Sequence, residues 1–491
     1  MRNQRHTPLA RFSAVLCVVV ALLSGAAPAW ADGGPAGQDV HVAQTLGTRE
    51  LTVVVRAVEV VPGPLRVNVI THAGTPAGGI RLSAAPTGVR SGDDAAGSPS
   101  ETRLDLGAEP GSYDADLAVD VVGPWELVLD DGEHTGRIPF VVPAPVVSPV
   151  QSLSQNGFLA AGVLLVLAIA TAVLSRRAWV PLIPAAGVVA AIAVGVVGAL
   201  LTGLAPPPPR PGVELDATVD NVRDPYAGGA LAPQDFSRPP ATLVVAARPV
   251  PTGADLALTV TDGSSGAPAD DLLVHDSALV HLVVVTPSGG LRHLHPARTG
   301  PGTYRVLVDS TEQGHYAVSA EIARRGGGVQ LLRSATGFDL GTGTTAPAPV
   351  AGDGPRRIGG TDVVVRTEGL DTAGATTVHA RFGTGNDLQP WLGMVGHMIV
   401  VGPLRGGQDV GRAAQDAPVW GHVHHMVPTG PGGQPDETVA AYGPDTTFTH
   451  HFSLPGRYLV WLQAERHYSV LTVPVELTIT GREDAEREEG R

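Results

Sequence analysis

Two short segments hold most of the residues able to bind a borderline or soft metal ion. They are Leu392–Met398 (Leu-Gly-Met-Val-Gly-His-Met) and Trp420–Met426 (Trp-Gly-His-Val-His-His-Met). Apart from the initiator, every methionine of the chain lies in them (Met394, Met398, Met426), together with His397, His422, His424 and His425. Gly421–Met426 reads as a short strand. Side chains alternate along a strand, so His422, His424 and Met426 share one face. The apolar run Met398–Val401 predicts a neighbouring strand that brings His397 in as a third nitrogen donor. Imidazoles with a thioether suit copper, because the thioether favours Cu(I) and imidazole serves both oxidation states. Zinc takes imidazoles but has little use for a thioether. Calcium and magnesium want clustered carboxylates, which are few here. The expected ligands are therefore His397, His422 and His424, with Met426 or Met394 as a soft ligand.

The same pattern occurs upstream. Leu279-Val-His-Leu-Val-Val-Val, Leu291-Arg-His-Leu-His-Pro and Gly314-His-Tyr-Ala-Val match Val395-Gly-His-Met-Ile-Val-Val, Trp420-Gly-His-Val-His-His and Gly456-Arg-Tyr-Leu-Val. His281 corresponds to His397, His293 to His422 and His295 to His424. The upstream copy has no methionine, so His281, His293 and His295 would bind Cu(II) or zinc through nitrogen alone, or persist as a relic. Thirteen of the 17 histidines lie between 275 and 467. Among the others nearby, His425 should face away from His424, at most one of His450 and His451 can join the cluster, and His467 sits in a turn. Asp387 and Asp416 are near enough in sequence to orient a ligating imidazole, but they read first as solvated loop residues.

The elements that must position these residues are mainly β. Short apolar runs end in Gly, Pro, Asp or Ser throughout, and 62 Gly and 43 Pro favour all-β modules. At 491 residues there is room for several domains. The basic residues are all Arg. A net charge of −14 argues against nucleic-acid binding. The single Cys, Cys17, lies within residues 1–31, which carry the features of a secretory signal: Arg2, Arg5 and Arg11, an apolar Phe12–Leu23, and Ala29-Trp30-Ala31. Cleavage would leave no thiol, which excludes Cys-ligated metal sites and disulfides. It would also take the charge to about −17.

Residues 32–148 read as one sandwich, with strands at Leu51–Val55, Leu65–Ile70, Ile80–Ala84, Thr102–Leu106, Tyr113–Val119, Trp125–Leu129 and Gly136–Val142, an immunoglobulin-like number. His41, His72 and His134 are scattered here and read as ordinary surface or core residues. Two apolar runs within 158–205 are long enough to span a bilayer, and the connecting Arg176-Arg177 places the turn on the cytoplasmic side. No ionisable residue lies within either span, so the hairpin reads as an anchor and not as a transport path. A Pro-rich linker covers 206–240, the first His-containing sandwich 241–340, a second linker 341–356, and the His/Met-rich sandwich 357–480. An acidic disordered tail closes the chain at 481–491.

Pro64-Leu-Arg-Val-Asn-Val, Gly74-Thr-Pro-Ala-Gly, Pro110-Gly-Ser-Tyr and Gly123-Pro-Trp-Glu-Leu resemble YtkA-like domains, small sandwiches found in bacterial copper handling. Asp387-Leu-Gln-Pro-Trp-Leu-Gly-Met-Val-Gly-His-Met, Gly421-His-Val-His, Leu454-Pro-Gly-Arg-Tyr-Leu-Val-Trp-Leu-Gln and Val470-Leu-Thr-Val-Pro-Val resemble bacterial extracytoplasmic domains associated with heavy metals or copper. That family usually continues His-x-His with Pro, as His295-Pro296 does, whereas His425 stands in that place in the second copy. The resemblance implies an immunoglobulin- or cupredoxin-like sandwich and metal binding without turnover. No nucleophile elbow, phosphate loop or His-Glu-x-x-His occurs. The expectation is a membrane-integral copper-binding protein with both soluble regions extracytoplasmic, sequestering copper or delivering it to a cuproenzyme or copper transporter. The alternatives are a structural or interaction protein built of immunoglobulin-like domains, and a copper-dependent redox enzyme.

Overall fold

The computed structural model describes residues 39–58, 60–87, 98–142, 149–202, 240–324, 328–348, 350–427 and 436–481. The signal segment, most of the Pro-rich linker and the acidic tail lie outside these. The architecture is mainly β, with three sandwich domains and a two-helix hairpin.

The N-terminal sandwich contains all seven expected strands. One sheet runs in the order Val40–Leu46, Arg49–Val55, Gly63–Thr71, Gly111–Val119, and the other Ser100–Leu106, Gly78–Pro86, Gly123–Asp130, Thr135–Val142. The eighth strand, Val40–Leu46, was not expected. Alternating Leu65, Val67 and Val69 face Ile80, Leu82 and Ala84 in the dry core between the sheets.

The hairpin packs Pro149–Leu174 against Leu182–Thr202. Both helices are long and apolar enough to cross a membrane. A Cβ on Gly157 would lie 2.6 Å from the backbone N of Gly195, so the close approach of the two helices requires glycine there.

The middle and C-terminal domains repeat one plan. In the middle domain, His281–Val285 pairs antiparallel with both Leu291–Leu294 and Gly314–Arg324. In the C-terminal domain, Met394–Gly402 pairs likewise with Val419–Met426 and Gly456–Arg466. The second sheets are Ala297–Gly300, Thr303–Asp309, Gly253–Asp262, Ala241–Val250, and Gly354–Ile358, Thr361–Glu368, Thr376–Phe382, Asp445–His450.

Alternation explains how the two domains meet. Leu282 and Val284 face the middle core, and Met398 and Val400 face the C-terminal core. The opposite faces of the same strands, Val283 with Val285 and Ile399 with Val401, join one apolar cluster shared by the two domains. Both faces of each strand are thus covered, which is why the strands read as unbroken apolar runs. The inserted Gly- and Ala-rich loop of the second copy forms a short helix, Val410–Asp416, capped by Asp409. It packs on the middle domain, where a Cβ on Gly411 would lie 1.8 Å from the His315 carbonyl oxygen. The N-terminal sandwich docks by its unexpected strand: the Thr45 amide donates to the His295 carbonyl (2.7 Å) and the Ala43 amide to the Ser277 carbonyl (2.6 Å).

Candidate metal centre

In each copy a tight turn precedes the first histidine. His275 and Ala278 close one turn, and Trp391 and Met394 close the other. Positive φ at Asp276 and Ser277, and at Leu392 and Gly393, shapes them alike. Each turn aims a carbonyl at the histidine six residues on: His281 Nε2 donates to the His275 carbonyl (2.9 Å), and His397 Nε2 to the Trp391 carbonyl (3.2 Å). A carbonyl only accepts, so Nδ1 of each ring carries a lone pair.

The hairpin register supplies the remaining rings. His397 stands opposite His424, and Ile399 opposite His422. Val283 stands opposite His293, in the place of the Ile399–His422 pair. The three histidines of each copy thus meet by strand pairing, as the repeat in the sequence implied. In both sets one ring nitrogen per histidine lies within 4.8 Å of the others'.

In the middle set the outer nitrogens of the His-x-His rings are held by groups distant in sequence. His293 Nδ1 faces Gln463 Oε1 at 2.9 Å, and the Gln463 amide donates to Thr472 Oγ1, which fixes its orientation. His295 Nδ1 donates to Glu50 Oε1 of the N-terminal sandwich at 2.7 Å. In the C-terminal set the outer nitrogens have only looser neighbours: His422 Nδ1 lies 3.4 Å from Glu321 Oε1 without a hydrogen bond, and His424 Nδ1 lies 3.6 Å from Asp276 Oδ2, whose nearer partner is His275 Nε2 at 3.1 Å. Bare nitrogens then point inward. His281 Nδ1 is 3.4 Å from His293 Nε2, His397 Nδ1 is 3.2 Å from His422 Nε2, and His424 Nε2 is 3.2 Å from His422 Nε2. His295 Nε2 is buried with no hydrogen-bond partner. In the middle set the lone pairs of His281 Nδ1 and His293 Nε2 face one another in a buried pocket, which calls for a cation between them. The chemistry of the donor set, neutral imidazoles with the outer N–H groups of the middle set anchored, is that of a transition-metal site.

The titration behaviour agrees. Burial, followed by the neighbouring rings, holds His281, His397 and His422 well below the ordinary imidazole range. Burial and His295 bring His293 down to about 3. Burial also lowers His424. Glu321 is pushed up to about 7 by burial and by Asp276.

Not every expected residue joins. Met426 is 61% exposed at the end of its strand, and Met394 is buried opposite it beyond a register shift. Met398 faces the domain core. The rings that converge are imidazoles. Asp387 is no orienting partner, because it pairs with Arg466 and lies 3.3 Å from His467. Glu50 and Gln463 take that role in the middle set. His425 turns away to the Thr447 backbone, as expected. His451 reaches the Thr372 carbonyl (3.4 Å), and His467 sits in a positive-φ turn. His72 is no surface residue; it is 3% exposed and paired with buried Glu465 at 2.5 Å.

Residues 358–481 match the family described as a domain of unknown function (DUF8832). No curated protein matches the chain. Among solved structures, dimeric latent PorU from Porphyromonas gingivalis is similar at 9% identity and a TM-score of 0.16; the match covers 91% of this chain but only 33% of PorU. The chicken CNTN1 FN1–FN3 domains are similar at 9% identity and a TM-score of 0.12, covering 89% of this chain and 99% of that one. A DUF4785 family protein from Legionella pneumophila is similar at 7% identity and a TM-score of 0.14, covering 89% and 93%.

Proposed function

We propose that this protein is a membrane-anchored, extracytoplasmic metal-binding protein that holds copper through imidazoles where its sandwich domains meet, for sequestration or for delivery to a partner protein. The observation that carries the reading is the convergence of imidazole nitrogens in two sets of three, each within 4.8 Å, with the opposite nitrogens of the middle set anchored. At a nitrogen site Cu(II) binds more tightly than the other divalent first-row ions, so copper is favoured without help from a thioether, and zinc is its competitor. The two apolar helices and the arginine pair between them support the anchor and the exterior placement of the β domains.

The test is copper titration of the full chain in detergent, with zinc as competitor. Tight copper binding that survives excess zinc, and is lost when His422→Ala is combined with His424→Ala in a folded protein, is the expected result. Absence of binding would instead leave a protein built of interaction modules.

A further inference from the structure

The spacing between the two histidine sets is the same as the spacing within them. Inside the middle set, ring centroids lie 5.2–5.6 Å apart, and inside the C-terminal set 4.4–5.4 Å. Across the domain boundary, His293 lies 5.1 Å from His422, His281 lies 5.4 Å from His422, and His293 lies 5.7 Å from His397. Six imidazoles form one cluster in which His293 and His422 share a wall. Yet the inward nitrogens group as two sets of three. Each set brings the same atoms together: Nδ1 of the histidine behind the turn, and Nε2 of the His-x-His rings.

We propose that the cluster is one dinuclear centre that takes two copper ions, one in each three-imidazole pocket, close enough to interact. This rests on the metal-binding reading above and adds its nuclearity. Three neutral nitrogens form a sufficient protein ligand set for one ion, with solvent completing the coordination. Two neighbouring dications repel, and carboxylates behind the rings offset this: Glu50 on His295 and Asp276 near His424. All three domains contribute, so the centre is complete only in the assembled chain.

The full chain in detergent is saturated with Cu(II). Bound copper is counted by elemental analysis, and unpaired spins by electron paramagnetic resonance. The expected result is two coppers per chain, fewer spins than coppers or a broadened signal, and a half-field transition. His424→Ala should drop the content to one copper per chain and restore a spin for each copper. One copper in the wild-type chain, or two with a full and unbroadened spin count, would overturn the dinuclear centre while leaving copper binding in place. No copper at all would overturn both readings. Should the variant fail to fold, the wild-type stoichiometry and spin count decide alone.

Discussion

The two copies of the repeat use the same histidines but hold them differently. In the middle domain the rings are anchored at 2.9 Å by a backbone carbonyl, at 2.9 Å by Gln463 and at 2.7 Å by Glu50. All three are buried. In the C-terminal domain the contacts lengthen to 3.2, 3.4 and 3.6 Å, and the His424 side chain is 16% exposed. The middle set is therefore preorganised by its neighbours, whereas the C-terminal set is looser and lies nearer solvent.

The difference can be tested through the anchors. Glu50→Gln should weaken copper binding toward the upper part of the ~10–100-fold range typical of lost outer-sphere partners. Glu321→Gln should cost nearer ~10-fold, because its contact is longer. Isothermal titration of both variants checks the order, and a reversed order would break the comparison.

The N-terminal sandwich also grips the two halves by different chemistry: Glu50 reaches His295 of the middle domain, while His72 reaches Glu465 of the C-terminal domain. Burial disfavours the charged His72, but the Glu465 carboxylate outweighs it and raises His72 to about 9. Burial pushes Glu437 up to about 8 against the pull of His72. Both values lie above the unfolded ones of 6.5 and 4.5. The His72 contribution is complete below pH 6.5 and lost as pH rises through about 9. The Glu437 contribution is complete below pH 4.5 and lost as pH rises to about 8. Thermal stability should therefore fall between pH 6.5 and 9, and Glu437→Gln should make the fall shallower. A melting temperature that rises over this window would contradict the assignment.

The smallest effects should come from residues near the cluster in sequence but outside it in space. His425→Ala and Met426→Leu should leave Cu(II) affinity unchanged. A clear loss in the second variant would restore Met426 as a ligand and make the C-terminal pocket chemically distinct from the middle one.

Much of the local structure was legible. Seven N-terminal strands followed from alternating apolar residues and turn signals, and the paired histidines followed from the repeat. Val40–Leu46 escaped because His41, Gln44 and Thr45 break its apolar pattern; Thr45 is spent on docking to His295. The meeting of the two histidine sets was not read, although a signal existed. His281–Val285 and Met398–Val401 are apolar without alternation, which means both faces are covered. The anchors left no such trace. Glu50 lies 245 residues from His295, and Gln463 lies 170 residues from His293. Only the tertiary fold pairs them, so proximity in sequence could not find them.

The apolar cluster between the middle and C-terminal domains bears on how the chain can be divided. Cutting between them would strip cover from Val283, Val285, Ile399, Val401 and Trp461, and would leave the Gly289 carbonyl without the Trp461 indole that donates to it at 3.1 Å. Either half alone would present a sticky face to solvent. The two sandwiches should therefore melt in a single cooperative transition, so the smallest autonomous folding unit here is the pair.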